Sequence, residues 1–224
     1  MTNDPSIVLD REGNFVAHLL YSLSLKKVIV FVDEMAFNNK IHPEYLRART
    51  ANDIIMDRSS KKTAYSVITA STFDQVVLYR IFDTTIDSES FGSFLVALFD
   101  YYRNKQVILD NLVIVLDNAP THRARRITAL ESFTHFLWLP PYAPHLNFVK
   151  RVFALWKAHI KKKTYASQSS NLPHISLEAL SSVTTDSWLK KQIEQLETYE
   201  CVIERWRSLK PPEHQDLVSK IVSE

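Results

Sequence analysis

The chain has 224 residues, of which 46% are hydrophobic and 11% aromatic, so it can bury a core of ordinary size. Its net charge of +2 permits nucleic-acid binding without requiring it. The single cysteine, Cys201, excludes an internal disulfide and cysteine-based zinc sites, and with only two glycines the chain has no glycine-rich phosphate loop, which argues against a nucleotide cofactor.

No apolar stretch approaches the roughly 20 residues of a membrane-spanning helix, and the N-terminus lacks the pattern of a signal peptide. We therefore expect a soluble, intracellular protein with no membrane partner. Its compartment would be the nucleus in a eukaryote or the cytoplasm in a bacterium.

The first third of the chain predicts a helix and three strands. "REGN" (11–14) is typical of a turn, and a helical pattern of apolar residues follows it. "VIVFVDE" (28–34) is a β-branched and aromatic run, as in a strand buried on both faces. Residues 38–62 are polar and irregular, whereas 63–71 and 76–83 predict a hairpin across a four-residue turn.

The middle of the chain alternates helices and buried strands. Asp87 or Ser88 can cap a helix with apolar residues at helical spacing. "LVIVLDN" (112–118) predicts a second buried strand, a basic helix is expected over 121–132, and "HFLWLP" (135–140) gives a third buried run.

The last third of the chain is predicted to be helical. A helix follows the proline-rich loop (139–147), and 165–174 has the composition of a surface loop. The final helical region has an apolar stripe of Trp188, Ile193, Leu196, Val202, Ile203 and Trp206. We divide the chain into an N-terminal turn and helix (1–27), an α/β core (28–164) and a helical C-terminal extension of the same domain (165–224).

Two acids each close a buried apolar strand: Asp33 follows "VIVFV" and Asp117 follows "LVIVL". Each one alone could simply begin a turn. In α/β sheets, however, ligands collect where strands end, and two carboxylates on neighbouring strands could hold Mg²⁺ or Mn²⁺. We predict that the two lie on adjacent strands with their carboxylates within about 4–8 Å.

Three motifs in order carry a resemblance to a known family: "VDE" (32–34), "LDNAPTH" (116–122) and "LPPYAPHLN" (139–147). Together they resemble the catalytic domain of mariner-like DDE transposases, over residues 28 to about 160. The resemblance implies a ribonuclease-H-like α/β fold, with a mixed five-stranded sheet flanked by helices and a helical C-terminal tail. It also implies DNA cleavage and strand transfer.

By this resemblance, Asp33 matches the first catalytic acid and Asp117 the second, and Mg²⁺ or Mn²⁺ is the expected cofactor. Enzymes of the family use three carboxylates to hold two ions about 4 Å apart. The third is expected in a run like Asn-Pro-Ile-Glu, but this chain has "NFVK" (147–150). Lys150 therefore stands where the third acid is expected, and Phe148 where proline is usual.

No other acid is a convincing replacement. Glu131 lies near the end of the basic helix, and Asp110 precedes its strand. Glu34 follows Asp33 on one strand and so points to the opposite face. His145 is in the proline-rich loop, and imidazole is a poor Mg²⁺ ligand.

Basic residues concentrate in 58–62, 122–126 and 150–163, where they could contact a DNA backbone or be solvated helix faces. For His122 a helix-capping role is an alternative, and for Tyr142 packing on the sheet. The tryptophans of the apolar stripes are expected in the core. The candidate DNA contacts are His122, Arg123, Arg125, Arg126, Tyr142, Asn147 and Lys157.

The sequence thus predicts a transposon-derived DDE catalytic domain with an impaired active site, whose main partner is the phosphate backbone of DNA. A second copy of the chain is a further candidate partner. One alternative is a weakly active Mg²⁺-dependent nuclease or strand transferase that uses Asp33 and Asp117 alone. Others are a domesticated, non-catalytic protein-interaction module and a structural α/β protein with chance motifs.

Overall fold

A computed structural model describes residues 4–38, 64–167 and 185–209 of the chain. Its centre is one five-stranded sheet with the strand order β3-β2-β1-β4-β5. The strands are β1 (Val28–Asn38), β2 (Ala64–Ser71), β3 (Val76–Phe82), β4 (Leu112–Leu116) and β5 (His135–Trp138). The predicted strands and the predicted hairpin are therefore present.

Five α-helices surround this sheet in the described residues. They are α1 (Pro5–Ser24), α2 (Ser88–Asn104), α3 (Arg125–Thr128), α4 (Phe148–Ser167) and α5 (Thr185–Leu209). Short 3₁₀ turns precede β4, follow α3 and precede α4, at Leu109–Asn111, Ala129–Ser132 and Pro144–Leu146.

The sheet is mixed, as the sequence predicts. β1 pairs antiparallel with β2 and parallel with β4, and β4 pairs parallel with β5. All five residues of β4 are buried, because helices cover both faces of the sheet at its centre.

Alternate residues of β1 enter two different cores. Phe31 and Met35 belong to the core shared with α1, α4 and α5, whereas Val30 and Val32 belong to the core shared with α2. This alternation follows from the period of two along a strand. It places Asp33 on the side of α4 and Glu34 on the side of α2.

Three local predictions are wrong. Residues 11–14 are part of α1, which begins at Pro5 with Asp4 as its N-cap and runs through Gly13. The basic helix expected over 121–132 is reduced to the four residues of α3 and a 3₁₀ turn, because the chain before Arg125 is folded into turns. Residues 165–167 belong to α4 and not to a loop.

The apolar stripe of α5 is partly misassigned. Ile193 and Leu196 are each 48% exposed, so they lie outside the core. The buried face instead carries residues at successive spacings of seven, four, three and four positions, namely Trp188, Gln195, Tyr199, Val202 and Trp206.

Several predictions fall outside the described residues. These are the irregular segment over most of 38–62, with its basic run 58–62, and the remainder of the loop predicted at 165–174. Among the helices that the structure describes, none is long and apolar enough to cross a membrane.

Candidate active site

The two acids predicted to act together lie on neighbouring parallel strands: Asp33 is inside β1, and Asp117 directly follows β4. Phe31 of β1 pairs with Val115 of β4, and Asp33 and Asp117 lie two residues further along each chain. Burial is the main cause that raises the pKa of Asp33, and the charge of Asp117 acts in the same direction, so the two carboxylates belong to one electrostatic environment. Their placement on adjacent strands agrees with the sequence prediction.

Asp33 is almost fully buried, with 2% of its surface exposed. Its Oδ2 accepts a hydrogen bond from Nδ2 of Asn147 at 2.9 Å and lies 2.6 Å from Nζ of Lys150. Its Oδ1 accepts from the backbone N–H of Glu34 at 2.7 Å. Burial raises the pKa of Asp33 to about 6, and the ammonium of Lys150 only partly offsets this effect.

Lys150 reaches Asp33 from the first turn of α4. The start of this helix is fixed by Phe148, which is fully buried and packs against Phe31 with ring centroids 5.8 Å apart. The Lys150 side chain is 40% exposed, so it lies between the buried carboxylate and solvent. The ion pair offsets the unfavourable position of a cation at a helix N-terminus, an effect of about 0.3–1 kcal/mol.

Asp117 is held by a buried histidine. Nδ1 of His122 lies 2.6 Å from Oδ1 of Asp117, and Nε2 lies 2.8 Å from Oε2 of Glu34. The backbone N–H of Ala119 also donates to Oδ1 of Asp117, at 3.0 Å. His122 is therefore a bridge between two carboxylates and not a helix cap; it precedes α3 by three residues.

Both partners of this bridge have shifted pKa values. Burial would raise the pKa of Asp117, but the hydrogen bonds from His122 and Ala119 outweigh it and lower the pKa. Burial would lower the pKa of His122, but the hydrogen bonds to Asp117 and Glu34 raise it to about 9. The arrangement therefore favours an imidazolium between two carboxylates.

Glu34 is the site residue that sequence reasoning missed. It does face away from Asp33, as the strand period predicts, but His122 connects it to Asp117. Glu34 and His122 are 88 residues apart in the chain. No local pattern signals such a contact, although "VDE" does show two successive acids after an apolar run.

A cavity of about 450 Å³ opens beside these residues, and its lining includes Asp117, Lys150 and the proline-rich loop. Tyr142 is part of the lining, is 83% exposed and has a φ of 62°. The packing of Tyr142 on the sheet, one of the two expectations, is thus excluded. Asn147 is 1% exposed and is a positioning partner of Asp33; its buried Oδ1 has no hydrogen-bond partner among the residues that the structure describes.

Arg123 is held near the site by Asn118 and Trp138. Its Nε donates to Oδ1 of Asn118 at 2.9 Å, and its Nη2 donates to the same oxygen. Its guanidinium carbon lies 3.6 Å from the centre of the Trp138 ring. Arg123 therefore occupies one position beside the proline-rich loop.

The remaining candidate DNA contacts lie on helix surfaces. Arg125 and Arg126 are exposed on α3, and Nη1 of Arg126 lies 3.4 Å from Oε2 of Glu89. Lys157 is exposed on α4, two turns after Lys150. The side chains of Arg125, Arg126 and Lys157 are therefore all accessible to a polyanion such as DNA.

The described residues do not form a complete metal site. Among residues 4–38, 64–167 and 185–209, no group of three or more His, Cys, Asp or Glu side chains is placed to hold a metal ion. The other ligands weighed from the sequence are engaged elsewhere: Glu131 with Trp138 at 2.7 Å, Asp110 with His135 at 3.2 Å and His145 with Glu12 at 3.4 Å.

The chain was compared with known protein families and with curated proteins. A family model described as DDE superfamily endonuclease matches residues 28–173. No curated protein matches the chain.

Several solved structures of the Mos1 mariner transposase share the fold. The Mos1 paired-end complex with the left transposon end is 16% identical, with a TM-score of 0.66, and the match covers 92% of this chain and 63% of that one. The Mos1 catalytic domain is 17% identical, with a TM-score of 0.63 and coverage of 92% and 96%. The chain thus spans less than two thirds of the longer Mos1 chain and nearly all of its catalytic domain. At this identity the likeness shows the ribonuclease-H-like fold.

Proposed function

Because the chain belongs to the DDE superfamily of endonucleases, we propose that it is a transposase-type catalytic domain in which Lys150 impairs metal-dependent DNA cleavage. The observation that carries this proposal is the 2.6 Å contact between Nζ of Lys150 and Oδ2 of Asp33. The ammonium of Lys150 is paired with the carboxylate of Asp33, which matches the first metal ligand of the family.

The residues present fit a pair of divalent ions poorly. Both oxygens of Asp33 already accept hydrogen bonds, from Glu34, Asn147 and Lys150. An ion at about 4 Å from the ammonium would be opposed by roughly 4 kcal/mol per unit charge at an effective dielectric constant of about 20. In the family, two ions activate the attacking oxygen and stabilise the leaving one.

The same contact also argues against the weakly active alternative. A nuclease that relied on Asp33 and Asp117 alone would need Lys150 to leave a buried carboxylate that is only 2% exposed. Removing one partner of a fully buried charged pair costs about 3–5 kcal/mol, and the cost is smaller here because the Lys150 side chain is 40% exposed. The ion pair therefore competes directly with metal binding.

Nucleic acid is the partner that we propose for the domain. Solved structures of Mos1 include a paired-end complex with a transposon end and catalytic domains with Mg or Mn. In this chain, Arg123, Arg125 and Lys157 are exposed cations that suit a phosphate backbone. The proposed activity is therefore DNA binding without efficient cleavage.

Calorimetric titration with Mn²⁺ tests the proposal on three proteins: the wild type, Lys150→Met and Lys150→Glu. Methionine removes the charge at similar length, whereas glutamate also adds a ligand. We expect weak binding by the wild type, tighter binding by Lys150→Met and the tightest by Lys150→Glu. Wild-type affinity equal to that of Lys150→Glu would show that Lys150 is outside the metal site.

Nicking of supercoiled DNA in Mn²⁺ tests the activity itself. We expect no cleavage by the wild type above the level of Asp117→Ala, which removes the second acid. Cleavage that depends on both Asp33 and Asp117 in the wild type would refute the impairment and favour the weakly active alternative.

A further inference from the structure

A second cavity adjoins the one that contains Lys150. It lies between α1 and the end of β5 and has a volume of about 520 Å³, within the range of about 300–1,000 Å³ that is usual for ligand pockets. The two cavities share Asn118, Leu139 and the pair Pro140 and Pro141 in their walls. We name the second one the α1–β5 cavity.

The charge in the α1–β5 cavity has one sign. Arg11 and His18 reach it from one exposed face of α1, and Arg123 reaches it from the segment after β4. None of the described residues that line it is acidic. Arg11 forms no hydrogen bond or ion pair with any residue in the described ranges. Two guanidinium groups with no carboxylate between them favour an anion.

One of the two guanidinium groups is fixed before any ligand arrives. Asn118 accepts hydrogen bonds from Nε and Nη2 of Arg123, and the amide of Asn118 donates to the carbonyl of Leu139. The Trp138 ring supports the guanidinium plane at 3.6 Å. Nη1 has no recorded partner within the described residues. A fixed planar donor suits a phosphate oxygen, because less side-chain entropy is lost on binding.

We propose that the α1–β5 cavity binds a backbone phosphate of a nucleic-acid strand through Arg11 and Arg123. This inference rests on the proposed function in so far as the domain binds nucleic acid. A strand is favoured over a free phosphate because the shared wall leads to the cavity that holds Lys150. A polymer with one phosphate per nucleotide can contact cations in both cavities at once.

The test is the binding of a fluorescent oligothymidylate, measured by anisotropy over a range of salt concentrations. Arg11→Gln and Arg123→Gln each remove one proposed contact. Arg80→Gln makes the same change of charge at an exposed position on β3, the edge of the sheet opposite β5, and is the matched control. We expect the first two variants to lose about threefold to tenfold in affinity. Their salt slope should fall by about 0.7, the value for one phosphate of a single strand. Arg80→Gln should leave both unchanged.

The outcomes separate this inference from the proposed function. If the wild type does not bind the oligonucleotide, the nucleic-acid part of the proposed function fails. If the wild type binds and all three variants behave alike, the α1–β5 cavity is not a phosphate site. A separate titration with inorganic phosphate at constant ionic strength is monitored by the NMR chemical shifts of the arginine Nε–H groups. If inorganic phosphate saturated the α1–β5 cavity at the same concentrations as the oligonucleotide, the choice of a strand over a free phosphate would be wrong.

Discussion

His122 is the residue with the most constrained surroundings in the site. It is fully buried, each ring nitrogen faces a carboxylate, and the ring stacks on Phe91 with centroids 4.0 Å apart. Because carboxylates only accept hydrogen bonds, both nitrogens must carry protons for both contacts to form. The imidazolium therefore connects Glu34, inside β1, to Asp117, directly after β4.

This arrangement predicts a loss of stability at high pH. The folded-state pKa of His122 is about 9, above its ordinary value of 6.5. The stabilisation is complete below about pH 6.5 and is lost as the pH rises through about 9, and it amounts to at most about 3 kcal/mol. The free energy of unfolding should be measured by urea denaturation, with a chelator present, from about pH 6.5 to about pH 9. Over this range it should fall in the wild type and change much less in His122→Gln.

His135 provides the matched control for this experiment. It also lies near a carboxylate, that of Asp110 at 3.2 Å, but its side chain is 55% exposed. His135→Gln should therefore keep the wild-type dependence of stability on pH, since exposed pairs contribute little. Parallel curves for the wild type and His122→Gln would show that His122 is not the titrating group.

The packing of α1 against α5 depends on a close approach at Gly13. A Cβ atom added at Gly13 would lie 2.1 Å from Cγ of the Trp206 ring. Trp206 is itself buried, and its Nε1 donates to Oδ1 of Asp10 at 2.9 Å. The two helices can reach this separation only because residue 13 has no side chain.

Gly13→Ala should therefore destabilise the protein, although alanine is the better helix former by about 1 kcal/mol. We expect a net loss of about 1–3 kcal/mol in the free energy of unfolding, because the ring must move. Gly92→Ala in α2 is the control, since the added Cβ would lie 3.3 Å from the terminal Cδ1 of Ile127. Urea denaturation should show a clearly smaller effect for Gly92→Ala, and equal losses would contradict the argument.

Phe148 links the start of α4 to the sheet and to α5. Its ring lies 5.2 Å from that of Phe73 and 5.7 Å from that of Trp188, centroid to centroid. Phe148→Ala should cost about 3–5 kcal/mol in the free energy of unfolding. Phe133→Ala, at a position that is 55% exposed, should cost far less. Similar losses of thermal stability in the two variants would show that Phe148 is not part of the core.

The strands and their succession along the chain could be predicted because their signals are local. The apolar runs of β1 and β4, the hairpin turn and the cap at Asp87 all lie within a few residues of the elements they define. The failures depend on distant contacts. The residues 11–14 predict a turn, because no local pattern shows that Gly13 packs against Trp206 inside a helix. Which residues of α5 are buried depends on the side of the helix that packs against the core. Ile193 and Leu196 lie on the other side and are exposed.

The site could be predicted only in part for the same reason. Asp33, Asp117 and Lys150 were found by motif, and the structure places them in one environment. The motif could not show that Lys150 forms an ion pair with Asp33 at 2.6 Å instead of turning outward. Nor could it show Glu34 behind His122, because that contact spans 88 residues of chain.

Across the whole molecule, the cations proposed to contact nucleic acid are spread over several elements. Arg11 lies on α1, Arg123 precedes α3, Arg125 lies on α3 and Lys157 on α4. Helix α3 has only four residues, Arg125–Thr128, which is too short to lie along a major groove as a recognition helix. Such an arrangement can neutralise phosphates, but it presents few side chains to base edges.

We therefore expect DNA binding that is weak, independent of sequence and steeply dependent on salt. Two duplexes of equal length and unrelated sequence should bind with affinities within about threefold of each other, because phosphate contacts carry no sequence information. Arg125→Gln should weaken both equally and reduce the slope of log K against log salt by about 0.9, the value for one phosphate of a duplex. Arg80→Gln, on the far edge of the sheet, should change neither the affinity for the two duplexes nor its salt dependence. Fluorescence anisotropy measures all of these quantities, and a footprint confined to one defined sequence at physiological salt would contradict the prediction.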